Sequence, residues 1–211
     1  MRPAAVFSVL FAAVAAVVAG GATRAIDLDV TVALQRVASF PLDVIANADT
    51  VLGQSTVTIA TAAVVALLLY RRERGWVWIA PLLILLTGAL ELVFKFAVAY
   101  PGPPEEFVRA WGSPLWVRVP TPSSFPSGHV ARVTFLAFFL WWLLPNRPAR
   151  AALVVLVVLT VWARVYIGDH WISDAVGGLA LGLAVGALAV VWLRQARRRA
   201  YSRDDAARHR G

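Results

Sequence analysis

The sequence contains no cysteine, so disulfide bonding and thiolate chemistry are closed to it, and its redox compartment cannot be read. Charge is scarce. Only 15% of the 211 residues are Asp, Glu, Lys or Arg, where a soluble domain carries about a quarter. Lysine is almost missing: Lys95 stands alone against nineteen arginines. Histidine is limited to His129, His170 and His209. No internal repeat or low-complexity linker divides the chain.

What the chain has instead is apolar length. It is 60% hydrophobic, with a mean hydropathy of +0.71. Six apolar segments, at roughly 4–22, 51–70, 76–99, 127–144, 151–168 and 172–193, are continuous rather than alternating. Most reach the ~20 residues that cross a bilayer as a helix. The expected fold is therefore all-α: a polytopic membrane protein with six transmembrane helices in one bundle over 1–193, followed by a basic tail over 194–211. The first segment also fits a cleavable signal peptide, with Arg2 ahead of an Ala/Val run and small residues near Gly20 and Ala22.

The charges that remain separate the connections into two sets. Arg71, Arg72 and Arg74 lie between the second and third segments, Arg147 and Arg150 between the fourth and fifth, and seven arginines lie between Arg194 and Arg210. In 24–49, Arg24 and Arg36 are offset by Asp27, Asp29, Asp43 and Asp49; in 100–126, Arg109 and Arg118 are offset by Glu105 and Glu106. The positive-inside rule places both termini in the cytoplasm, and six spans then alternate without conflict. The formal net charge of +8 is read as headgroup anchoring and topology rather than nucleic-acid binding. Segment 100–126, with its prolines, Trp111 and Trp116, suits the membrane surface or an ordinary outer loop.

On this topology three groups of polar residues meet at the outer face. Lys95 lies near the end of the third span; one turn earlier stands Glu91, so a snorkelling ion pair is its bland reading. Pro126-Ser127-Gly128-His129 opens the fourth span. Ser127 is placed to cap that helix, Gly128 to let the backbone approach a ligand, and the free amides to hold an anion beside His129. The bland alternative is a plain helix start with an interfacial histidine. Arg164, His170 and Asp174 bracket the fifth and sixth spans. His170 and Asp174 are four residues apart, so a carboxylate could fix one imidazole nitrogen and leave the other to attack. Arg164 offers a forked cation to phosphate oxygens. A structural network of Arg164, Asp169 and Asp174 is the competing reading. Zinc on two histidines and Asp174 is a weaker one, because the neighbouring cations would repel a metal.

This arrangement resembles the type 2 phosphatidic acid phosphatases, integral-membrane lipid phosphatases related to the vanadium haloperoxidases. That family carries a lysine, six residues and Arg-Pro; then Pro-Ser-Gly-His; then arginine, five residues, histidine, three residues and aspartate. The second block is intact at 126–129 and the third at Arg164, His170 and Asp174, although Ala163 stands where a serine often precedes it. Gly178 and Gly182 resemble the family's small-residue face on the last helix. The likeness spans about 75–182. In the first block Lys95 is followed, where arginine-proline is expected, by Gly102-Pro103. Arg132, Arg109 or Arg118 could supply the lost charge.

The resemblance implies a phosphatase needing no metal or other cofactor. His170, held by Asp174, would attack phosphorus and form a phosphohistidine, with His129 as general acid. Lys95, Ser127, Gly128 and Arg164 would stabilise the phosphoryl oxygens. The implied partners are the bilayer and a lipid substrate, a polyprenyl diphosphate such as undecaprenyl diphosphate, phosphatidylglycerophosphate or phosphatidic acid, in a bacterial plasma membrane. Two alternatives stand beside it: a catalytically impaired lipid-phosphate binding or transport protein, and a lipid phosphotransferase using the same residues. Gly178, Gly182 and Gly186 form a stripe that fits helix dimerisation or packing within the bundle.

Overall fold

In the computed structural model the described residues are 2–73, 75–111 and 121–208; Arg74, Trp116, Arg118, His209 and Arg210 lie outside them. The helices are α1 (Arg2–Ala19), α2 (Arg24–Gln35), α3 (Phe40–Leu52), α4 (Ser55–Arg72), α5 (Ile84–Ala97), α6 (Gly128–Leu143), α7 (Arg147–Tyr166) and α8 (Ile172–Arg208). Two 3-10 segments, Trp76–Leu83 and Glu105–Phe107, complete the order, and no strand occurs among the described residues.

The expected apolar segments become α1, α4, the Trp76–Leu83 turn with α5, α6, α7 and α8. Five of these are long and apolar enough to cross a membrane; α6, at 16 residues, is shorter. Outward faces such as Val6, Val9 and Val17 on α1, or Val154, Val155 and Val158 on α7, are half or more exposed. Apolar surface in such quantity needs lipid against it. The chain is a multi-pass membrane protein.

Helix α8 is the axis of the bundle. Its spanning stretch is 67% buried, against 22% for α1 and α4. Small residues on its face allow this. A Cβ added at Gly178 would run into the carbonyl oxygen of Ser127, and one at Gly182 into that of Ala131, so α6 and α8 touch backbone to backbone. On another side Phe11, Ala15 and Val18 of α1 join Val185 and Ala189 of α8 in the main core cluster.

Three departures from the sequence expectation have physical causes. Segment 24–49, read only as a connection between spans, is largely helical, forming α2 and most of α3. Its polar residues turn inward: Asp27, Thr31 and Asp49 are buried. The third span begins as a 3-10 turn because Pro81 within it has no N–H to donate to an α-helical ladder. The sixth does not stop at residue 193: α8 runs on to Arg208 through strong helix formers, and Arg197 forks onto Glu73 with Nε–Oε2 2.7 Å and Nη2–Oε1 2.5 Å. That pair joins the far ends of α4 and α8. The opposite end of the bundle carries the candidate site.

Candidate active site

The end of α5, the starts of α6 and α8 and the end of α7 meet at one end of the molecule, roofed by α2 and α3. Lys95, His129, Arg164, His170 and Asp174 are thereby brought within electrostatic range of one another, with Arg132 among them. They are nearly dry: Arg164 is 1% exposed, Asp174 is fully buried, and His129 and His170 are each 8% exposed.

Each block is built locally. Ser127 occupies the cap position of α6, yet its hydroxyl makes no capping bond; the expected cap is not formed. The Ser127 amide instead donates to the carbonyl of Asp174 at 3.0 Å, tying the second block to the third. Its Oγ is buried without a hydrogen-bond partner, as is Nε2 of His129. Two buried polar atoms left open in one place are costly unless a ligand completes them. The His129 ring is wedged against Gly53, where a Cβ would lie 2.7 Å from Cδ2. Glycine at 128 makes room for the carboxylate of Glu91, which a Cβ there would overlap.

In the third block, Asp174 Oδ2 accepts from the Trp171 amide at 2.9 Å and stands 3.4 Å from Nδ1 of His170. That separation is longer than an ordinary hydrogen bond, as is common before a substrate tightens a site. Arg164 pairs with Asp169 and donates to Thr50 Oγ1 at 3.1 Å. Part of the bland ion-pair network is therefore real, but Asp174 is not in it. The turn between α7 and α8 depends on Gly168, whose φ of +71° suits glycine and whose Cα side meets the carbonyl of Phe107.

Lys95 and Glu91 pair at 3.8 Å, and the same carboxylate takes Arg132 at 2.6 Å. Arg132 also donates to the Gly53 carbonyl at 3.5 Å. Of the three arginines considered as replacements at Gly102, Arg132 is at the site but held by Glu91. Arg109 is turned onto Asp43, with Nε and Nη2 donating at 2.9 and 2.7 Å. Arg118 lies outside the described residues. Gly102 itself packs on Ser124, 3.3 Å from its Cβ to a Cβ built at 102.

Several participants were not singled out from the sequence. Thr50 holds Arg164, and Asp49 accepts from Thr160 at 3.0 Å beside it. Burial pushes the Asp49 carboxyl up to about 6, against the Thr160 bond and the Arg164 charge. Gln35 donates to the carbonyls of Phe107 and Tyr166, both at 2.8 Å. No signal in 23–50 marks them, since aspartates and threonines are also what a solvated outer loop carries.

The PAP2 superfamily profile matches residues 76–198, which contain all three blocks. The chain belongs to the PAP2 superfamily. YbjG of Escherichia coli K12 is 42% identical over 72 residues, 33% of this chain and 35% of that protein. The undecaprenyl-diphosphatase of Sulfolobus acidocaldarius is 29% identical over 141 residues, 57% of this chain and 65% of its own length. The chain thus spans about a third to two thirds of these curated relatives. Among solved structures, a transmembrane PAP2-type phosphatidylglycerolphosphate phosphatase from Bacillus subtilis superposes with a TM-score of 0.77 at 23% identity, over 94% of this chain and 99% of that one. Its likeness shows that the helical membrane fold is shared nearly end to end.

Proposed function

We propose that this PAP2 protein is a lipid phosphatase that works through a phosphohistidine at His170. The observation that carries the reading is the convergence of two histidines, Lys95 and Arg164 around Ser127 Oγ and His129 Nε2, both buried and unpartnered. A phosphoryl group bound there would supply the missing partners.

Nε2 of His170 attacks phosphorus in line, the N–P bond forming as the bond to the lipid oxygen breaks. Asp174 at Nδ1 fixes the ring and stabilises its positive charge. His129 donates its proton to the departing oxygen. Water then attacks the phosphohistidine, with His129 accepting the water's proton and inorganic phosphate leaving. Lys95, Arg164, Ser127 Oγ and the Gly128 amide face the equatorial oxygens, where preorganised donors stabilise the transition state. The cations carry the charge load that metal ions bear in kinases.

The substrates that suit this site are polyprenyl diphosphates such as undecaprenyl diphosphate, phosphatidylglycerophosphate and phosphatidic acid. The names of the relatives support the first two classes. With arginines concentrated at the end away from the site, the orientation puts both termini of six spans in the cytoplasm and the site at the outer face of a bacterial plasma membrane. The impaired-binder reading draws support from Gly102 and from the engagement of Arg132 and Arg109 elsewhere.

Labelled lipid phosphate tests the central step. Brief incubation with purified protein is expected to leave acid-labile, base-stable label on the wild type and none on His170→Ala. Label retained by His170→Ala would reject this nucleophile.

A further inference from the structure

Asp27 lies in α2, far in sequence from every block of the site, and is fully buried. A buried carboxylate is costly unless its oxygens are satisfied. Here they accept three hydrogen bonds. Oδ1 takes the Ser173 amide at 2.9 Å, and Oδ2 takes the Ser173 hydroxyl at 2.7 Å and the Tyr100 hydroxyl at 2.6 Å. Ser173 is the second residue of α8, so Asp27 satisfies one of the free amides at that helix's start from another part of the chain. A negative charge there is also favoured by the helix dipole.

Tyr100 extends the connection. Burial, and then its bond to Asp27, hold the Tyr100 hydroxyl above the usual phenol range, which keeps it protonated as the donor. Its carbonyl accepts from the Ser124 amide at 2.9 Å and from the hydroxyls of Ser123 and Ser124 at 3.1 and 3.2 Å. Next to it, the Pro101 carbonyl accepts the Trp171 indole N–H at 2.9 Å. The segment after Lys95 is therefore bound to the irregular stretch leading into Ser127 and to the turn carrying His170. Asp27 closes the ring at the first turn of α8, one residue before Asp174.

We infer that Asp27, acting with Tyr100 and Ser173, is a positioning residue that locks the three blocks together and sets the line of His170 toward phosphorus. It touches no reacting atom. Its effect passes through the placement of α8, so it governs turnover more than substrate capture. A displacement of about 1 Å at an attacking group can cost on the order of 100-fold in rate.

The inference rests on the phosphatase reading, and the experiment separates the two. Full-length protein in detergent is assayed for phosphate release from undecaprenyl diphosphate, phosphatidylglycerophosphate and phosphatidic acid, with kcat and KM taken on the lipid turned over fastest and melting temperature on the same samples. Asp27→Asn, which keeps the shape and an acceptor but loses the charge, is expected to lower kcat roughly 10–100-fold with KM within about twofold. Ser173→Ala and Tyr100→Phe each remove one hydroxyl and leave the other bonds to Asp27. Each is expected to lower kcat several-fold, and the two combined with Asp27→Asn should be strongly non-additive. These milder variants decide the matter if Asp27→Asn does not fold. Wild-type turnover with parental kcat in the folded variants, whatever their melting temperatures, would overturn the positioning role alone. A wild type that releases phosphate from none of the three lipids would sink the phosphatase reading and this inference with it.

Discussion

Gly178 offers a test of how closely packing and catalysis are joined. An alanine there would drive its methyl into the Ser127 carbonyl, 3.1 Å from Val130 Cβ and 3.2 Å from the Ala131 amide nitrogen. These are backbone or near-backbone atoms of α6, which cannot rotate aside, so α6 must back away from α8 by about 1 Å to reach ordinary contact near 3.5 Å. Overpacking of this kind costs about 1–3 kcal/mol. The larger effect falls on chemistry, because α6 carries Ser127 and His129 while α8 carries Asp174 and follows His170. The same ~1 Å shift between the proposed acid, His129, and the proposed nucleophile, His170, predicts a loss of roughly 100-fold in kcat. Gly182→Ala, meeting the Ala131 carbonyl and Thr134 Cβ at 2.7 Å, should behave alike. Gly186→Ala meets the Phe138 ring edge at 3.0 Å, which can swing, and Gly88→Ala meets nothing within 4 Å. Phosphate release and melting temperature in one detergent compare the four variants. If Gly178→Ala turned over within about threefold of Gly88→Ala, the rigid-contact reasoning, with its 1 Å magnitude, would fail.

Three further outcomes follow from the charged groups. Arg132→Ala should destabilise the fold by about 3 kcal/mol, since it strands the largely buried Glu91 carboxylate with only Lys95 at 3.8 Å; adding Glu91→Gln should recover much of the loss in thermal unfolding. Arg109→Ala should cost under about 1 kcal/mol, because its bond to Asp43 is partly exposed. The Arg109 fork holds the Asp43 carboxyl below the usual carboxylate range, so this contribution is present above about pH 4 and fades as pH falls through the folded value. Unfolding of wild type and Arg109→Ala should therefore converge in acid. Asp49 has the opposite sign: burial raises its carboxyl to about 6, so ionising it costs stability as pH climbs from about 4 to that value. The melting difference between Asp49→Asn and wild type should move in the variant's favour across that window and level off above it.

Much of this was legible in the residues because membrane helices announce themselves by length and apolar content, and because the blocks of the candidate site use short local spacings. Lys95 and Glu91 needed only the four-residue repeat of α5; His170 and Asp174 do come together at that spacing, but His170 lies in the turn before α8 rather than on the helix itself. The grouping of the blocks at one end followed from alternating spans. What was not legible depends on contacts between distant segments. Ser127 has the residue type and position of a cap, but its hydroxyl is left open while its amide is drawn to the Asp174 carbonyl. Gly128 was read as room for a ligand, whereas the space beside it holds Glu91. The inward turn of Asp27 and Asp49 follows from α2 and α3 packing over the site, a tertiary arrangement that the charge count of 24–49 does not encode.

Phosphate release in the presence of EDTA, from detergent-purified protein given undecaprenyl diphosphate, phosphatidylglycerophosphate or phosphatidic acid, tests the central claim most directly. The account predicts release from at least one of these lipids, undiminished by the chelator and abolished in His170→Ala that still folds. No release from any of them by folded wild type, or full release by His170→Ala, would contradict it.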